Sequence, residues 1–277
     1  MHYLTLAKKL NMKDATITAV ESLVISEELE RELTDALHLG SSELRTALQA
    51  QKQPELTALA MFLRWGGEIE REYMQKYIDP DIYLHTMNEV ALWSEKYCKD
   101  TCCHGVSEWE WLAKVVTMRV FRIGRLEYEP SALERELCIR GECFGVGTQL
   151  LEIHIPEGEP LNIGEVSASL KMAVKFFQWH FKEKYYLLRC RSWLLSACLD
   201  EMLPANSGII RFQNLFCLYL SVPSRQAEER VFGFISDDPS VYPEKTTLQR
   251  NLKQFLMDAN TMTLGCGVIT AKTIEGL

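Results

Sequence analysis

The run LLEIHIPEGEPL, residues 150–161, continuing into NIGEVSASLKMAVKFF, residues 162–177, decides the reading of this chain. Its first half alternates: Leu151, Ile153 and Ile155 fall on one side of an extended segment, Glu152 and His154 on the other. Pro-Glu-Gly then ends the strand, because proline brings no N–H to a ladder and glycine takes the angles of a tight turn. Over 165–181 the apolar residues recur at helical spacing. A second extended run, YLLRCRSWLL at 186–195, follows. Strand, turn, helix and strand in this order bring the unpaired N–H groups of a helix start beside a strand end, which suits a phosphate-bearing ligand.

Upstream, the pattern is helical as far as residue 118. Helices are expected over 19–39, stopped by Gly40, then after Ser41 and Ser42 as caps, and over 55–77 with Pro54 in the first turn. Two more are expected over 82–96, after Asp79-Pro80-Asp81, and over 107–115. Past residue 118 the character turns to β: MRVFRIGRLEYEP, ERELCIR and TQLLEIHIP read as an antiparallel sheet, with GECFGVG as a flexible hairpin. Beyond 195 the pattern gives a short helix at 196–203, strands at 215–222, 231–235 and 264–270, and a helix at 247–260. The expected class is α+β: a helical domain at 1–118, then a mixed, mostly antiparallel sheet flanked by helices at 119–277.

The 277 residues carry a formal net charge of −8, which argues against a nucleic-acid partner, since phosphates need a basic face. No stretch approaches the roughly 20 apolar residues of a membrane span. The opening MHYLTLAKKLNMKD has no apolar leader core, so the nine scattered cysteines read as reduced thiols of a cytoplasmic protein. Cys98, Cys102, Cys103 and His104 lack the second distant pair that a structural zinc site uses, and no metal is expected. The pattern fixes no oligomeric state.

Several segments carry a family resemblance: IDPDIYLHTMNEVALW (78–93), FRIGRLEYE (121–129), IHIPEGEPL (153–161), CRSWLL (190–195), LPANSGIIRFQ (203–213), VFGF (231–234) and TTLQR (246–250). Together, and in this order, they resemble a bacterial acyltransferase-like family with a helical N-acyltransferase N-terminal domain and a GNAT-like C-terminal domain. GNAT denotes the superfamily of CoA-dependent N-acyltransferases. The resemblance implies acetyl-CoA or another acyl-CoA as donor and an amine on a small molecule or peptide as acceptor. It also implies a pantetheine arm lodged between two splayed strands, with the pyrophosphate on the following helix start. On this chain the cofactor-binding candidates are Ile155, Asn162, Ile163, Gly164 and Ser167, with Ser169 as a second hydroxyl and Ser192 on the next strand. The superfamily's Gly-x-Gly or Gly-x-Ala signature is absent from this loop, and Glu159 and Glu165 add negative charge there.

Acyl transfer to an amine needs a base, oxyanion donors and an acid for the leaving thiolate. His154 is the base candidate, because an imidazole titrates close to neutral pH. Glu127 and Arg125 share a strand face and join it as catalytic and substrate-binding candidates; Arg211 and Gln213 are placed at a substrate opening. Cys190 is the acid or nucleophile candidate, and no tyrosine lies between Trp193 and Ser207 to take the acid's place. Each has a plainer reading: His154 as a strand residue bonded to Glu127 or Glu152, Arg125–Glu127 as an ion pair, Cys190 as packing, Arg189 and Arg191 as exposed charges. Two functions stay open: an acyl-CoA-dependent N-acyltransferase, or a non-catalytic ligand-binding or interaction protein that retains the fold.

Overall fold

The computed structural model describes residues 1–277 and divides between Arg122 and Ile123. The first unit is helical: α1 (Tyr3–Lys9), α2 (Asp14–Ser22), α3 (Glu27–Leu39), α4 (Ser41–Gln49), α5 (Pro54–Gln75), α6 (Pro80–Thr101) and α7 (Trp109–Val116). Pro54 and Pro80 each open a long helix, where a missing N–H costs nothing. Within this unit Glu89, buried in α6, accepts from the indole N–H of both Trp93 and Trp111, at 2.9 and 2.7 Å.

The expected helix over 19–39 is two helices. Ser26 accepts from the Leu29 N–H and three glutamates follow in the first turn, so a new helix starts where the periodicity alone runs on. Gly40 ends α3 as expected but also stands as the cap of α4, with Ser41 already helical.

The boundary falls within β1 (Phe121–Ile123), and the second unit goes on with β2 (Leu126–Ala132), β3 (Leu137–Ile139), β4 (Glu142–Phe144) and β5 (Gln149–His154). Helix α8 (Ile163–His180) and β6 (Leu187–Ser192) follow. Then come α9 (Leu199–Met202), α10 (Gly208–Gln213), β7 (Cys217–Pro223), α11 (Gln226–Phe232), α12 (Thr247–Met257), β8 (Thr263–Thr270) and α13 (Ala271–Glu275). Six strands form one mixed sheet in the order β1-β2-β5-β6-β8-β7. β2–β5, β6–β8 and β7–β8 are antiparallel, whereas β5 and β6 are parallel and α8 is their crossover.

α8 covers one face of this sheet. Buried Ser169 of α8 anchors it: its hydroxyl bonds the Ile123 carbonyl, accepts from the Leu126 N–H at 3.2 Å and meets the Tyr128 hydroxyl at 2.8 Å. The opposite face is covered at one end by the β3–β4 hairpin, whose Leu137 and Ile139 pack on Leu150, Leu187 and Val268. A satellite core of Leu199, Met202, Ile210, Phe232, Tyr242 and Leu252 gathers the helices that follow β6.

Three expectations change here. Residues 137–139 leave the main sheet for their own hairpin, turning through Arg140 and Gly141, both at positive φ. Cys138 and Cys143 form a disulfide across that hairpin, so the nine cysteines are not all thiols. Residues 231–235 are not a strand: α11 ends on Gly233 at φ +85°, a left-handed stop. Residues 208–213, between the helix expected at 196–203 and the strand expected at 215–222, form α10, begun by Ser207 accepting from the Ile210 N–H.

After β6 a single 3-10 turn, Trp193–Leu195, folds back over β8, and only glycine fits beneath it. A Cβ at Gly265 would stand 2.0 Å from the Leu195 carbonyl oxygen. Gly265→Ala is therefore expected to lower unfolding stability by about 1–3 kcal/mol through overpacking, measured by urea denaturation.

Candidate functional site

The parallel rungs between β5 and β6 run Leu150–Leu187, Leu151–Leu188, Glu152–Arg189 and Ile153–Cys190, and stop there. β6 stays paired with β8 for two more rungs, to Ser192–Gly265. The two strands thus part at Ile153 and Cys190, and the sequence gives a cause on each side. Buried Pro156 deprives the outgoing chain of a ladder donor. On β6 the Ser192 hydroxyl accepts from the Leu194 N–H and the Trp193 N–H goes to the Gln226 side chain, so the backbone turns away.

From the fork the chain passes through 155–161 into α8. Asn162 caps the helix, its side chain accepting from the Gly164 N–H at 2.9 Å, and the Val166 N–H returns to the Asn162 carbonyl. The N–H groups of Ile163 and Glu165 belong to the first helical turn, where no intrahelical acceptor exists. Asn162 and Gly164 are exposed, while Ile155, Ile163, Ser167 and Ser192 are half-buried. These cofactor-binding candidates fall along the fork and the helix start. Ser169 does not join them, because its hydroxyl is spent inside the core on Ile123, Leu126 and Tyr128.

On the sheet face opposite α8, at the C-terminal ends of β5 and β6, lies a row of charged groups. Glu127 stands opposite His154 in register, and Glu129 opposite Glu152. Glu127, Glu129, Glu152 and Arg189 are all buried. His154 Nε2 lies 3.2 Å from Glu129 Oε2, and the ring stays 34% exposed. Arg189 donates from Nε to Glu152 Oε1 at 2.7 Å, and Arg191 approaches the same oxygen at 3.6 Å. Burial works to lower the Arg189 pKa, but its bonds to Glu152 and Tyr219 more than offset this. Burial likewise pushes the Tyr219 phenol up.

The remaining candidates fall elsewhere. Cys190 faces the α8 side, fully buried in register with Ile153, and burial raises its thiol pKa; it packs there, away from the charged row. Gln213 is buried and donates to the Leu194 and Ser196 carbonyls, both at 2.8 Å, which fixes the turn after β6. Arg211 is exposed on α10. Arg125 is buried, and its guanidinium binds the 156–160 loop. Arg189, expected as an exposed charge, is instead the buried partner of Glu152. Two members of the row escaped the sequence reading. Glu129 lies two residues from Glu127 on the same face, and strand alternation was enough to find it. Tyr219 reaches Arg189 from β7 across β8, a long-range neighbour that no local pattern announces.

Comparison with known proteins agrees with this architecture. Residues 120–269 match the model of the GNAT-like C-terminal domain, and residues 2–118 that of the N-acyltransferase N-terminal domain. The chain belongs to the GNAT-like C-terminal domain family. Among solved structures, an acyltransferase in complex with decanoyl-CoA and teicoplanin superposes with a TM-score of 0.78 at 18% identity, covering 96% of this chain and 86% of that one. A mutant acyltransferase in complex with octanoyl-CoA gives 0.75 at 18% identity with the same coverage. An acyltransferase with decanoyl-CoA alone gives 0.68 at 19%, covering 97% and 99%. No curated protein matches the chain. No helix is long and apolar enough to cross a membrane.

The Glu152–Arg189 pair lies one rung before the fork, and its loss would strand a buried cation whose next carboxylate, Glu134, is 3.7 Å away and exposed. Glu152→Gln is expected to cost about 3 kcal/mol of stability in urea unfolding. Arg191→Gln, at the exposed end of the same row, should change it by less than about 0.5 kcal/mol.

Proposed function

We propose that this protein is an acyl-CoA-dependent N-acyltransferase acting on an amine of a small molecule or peptide. The observation that carries the reading is the parting of β5 and β6 at Ile153–Cys190 beside the start of α8. A slot between parallel strands accepts a narrow, flexible thiol arm, and an amide-rich helix start accepts the phosphates at its other end. Ile155 and Ser192 would flank the arm; Asn162, Ile163, Gly164 and Ser167 would face the pyrophosphate. The fold neighbours are complexes with CoA, octanoyl-CoA and decanoyl-CoA, which favours extending the donor range from acetyl to longer acyl chains. An acyl-CoA donor goes with a cytoplasmic setting.

The chemistry proposed for the chain's own groups is short. His154, held by Glu129, takes a proton from the attacking amine. The amide C–N bond forms as the thioester C–S bond breaks, and the proton finally resides on the CoA thiol. Glu127, Glu152 and Arg189 fix the charged surface around the imidazole. A second reading, a binding protein that retains the fold, is favoured by the loop's missing Gly-x-Gly or Gly-x-Ala and by the carboxylates at Glu159 and Glu165.

A thermal-shift panel of free CoA, acetyl-CoA, octanoyl-CoA and decanoyl-CoA tests binding. A ligand at 100 times its Kd should contribute about 2.7 kcal/mol, and no shift with any of the four overturns the proposal. His154→Ala is expected to reduce kcat by about 10²–10⁴-fold while leaving the CoA-induced shift unchanged. Wild-type turnover in that variant, with amine panels assayed by thiol release, would remove His154 from the mechanism and leave the binding-protein reading.

A further inference from the structure

Arg125 follows Gly124 in the turn between β1 and β2, and its side chain is buried. Its guanidinium donates from Nε to the Pro160 carbonyl at 3.1 Å, from Nη1 to the Pro156 carbonyl at 3.2 Å and from Nη2 to the Glu159 carbonyl at 2.5 Å. One rigid planar fork thus collects three carbonyls from five consecutive residues. The peptide unit is planar and trans, so each carbonyl and the N–H that follows it point in opposite directions. Turning the Pro156 and Pro160 carbonyls toward Arg125 therefore directs the N–H groups of Glu157 and Leu161 away from it. The third following nitrogen belongs to Pro160 and has no hydrogen to orient.

The loop is fixed at two further points. Arg230 of α11 donates to Glu157 at 2.6 Å, and the Leu161 carbonyl rests so close to Gly208 that a Cβ there would stand 2.5 Å away. The Pro160 carbonyl also accepts from the Asn162 N–H at 3.1 Å, and Arg125 adds a side-chain donor to that carbonyl and to two others of the loop.

We infer that Arg125 is a positioning residue for the phosphate end of the acyl-CoA donor, aligning the Glu157 and Leu161 amides with those at the start of α8. The inference rests on the acyltransferase reading and replaces a substrate contact for Arg125 with an indirect role. It also supplies what the loop's sequence lacks: without a Gly-x-Gly or Gly-x-Ala signature, carbonyls drawn to a buried cation orient the amides.

Two measurements test it. Amide hydrogen exchange on the wild-type protein should show Glu157 and Leu161 exchanging freely without ligand and at least tenfold more slowly with CoA. Protection confined to Ile163–Glu165 would overturn the alignment. Arg125→Lys keeps the charge but cannot span three carbonyls. In this variant the affinity for CoA should fall at least tenfold while affinity for pantetheine, which has no phosphate, stays within twofold, and kcat at saturating donor stays within threefold. Equal losses for CoA and pantetheine, or none, would sink the proposal. If Arg125→Lys does not fold, Arg125→Gln carries the same comparison, and the wild-type exchange result decides alone if both fail. A wild-type protein that binds no CoA would reject the acyltransferase reading. Ligand-free exchange of Arg125→Lys against wild type would still judge the staple: faster exchange at Val166, whose bond closes on the loop's end, supports it, and unchanged exchange rejects it.

Discussion

Everything at the candidate site depends on where one ladder stops. β5 and β6 pair as parallel strands for four rungs and then diverge, because Pro156 removes a donor on one side and Ser192 starts a turn on the other. Neither cause is strong alone. A proline ends a strand without saying where its neighbour goes, and a serine turn is common at strand ends. Their coincidence at the same level of the sheet makes an opening instead of a frayed edge. The turn after β6 is then held from three directions, by Gln213 on the Leu194 and Ser196 carbonyls, by Gln226 on the Trp193 N–H and by Thr263 on the Ser196 hydroxyl.

The two faces of the sheet divide the labour. The side under α8 is apolar and contains Cys190, whose thiol is sealed in the core. The other side carries carboxylates and arginines at the ends of the same strands, an expensive arrangement unless every charge is matched. Arg189 and Glu152 match each other, and Glu129 is hydrogen-bonded to an imidazole that remains partly open to solvent. A buried carboxylate behind a half-exposed histidine fixes the orientation of the ring through one of its nitrogens.

Much of this was legible in the amino-acid order, and what was missed has physical reasons. Alternation in 150–155 set Glu152 and His154 on one face, and the switch to helical spacing after Pro160 gave the crossover. The helix over 19–39 failed because its apolar spacing spans Ser26, whose capping bond interrupts it. The strand expected at 231–235 failed because Gly233 takes a left-handed angle that a β-rich composition does not reveal. Arg125, Gln213 and Ser169 were placed at binding positions because they are polar residues in suggestive surroundings. Their donors and acceptors are spent on backbone groups tens of residues away, which local pattern cannot show. The identity of the carboxylate beside His154 turned on a diagonal contact, where register alone points to Glu127.

Parallel neighbours cannot be joined by a tight hairpin; the chain must travel back the full length of the sheet before the second strand begins. Here that return path is α8, and it departs from the very end at which the two strands separate. Connectivity alone therefore brings the start of α8, with its unpaired N–H groups, to the mouth of the gap.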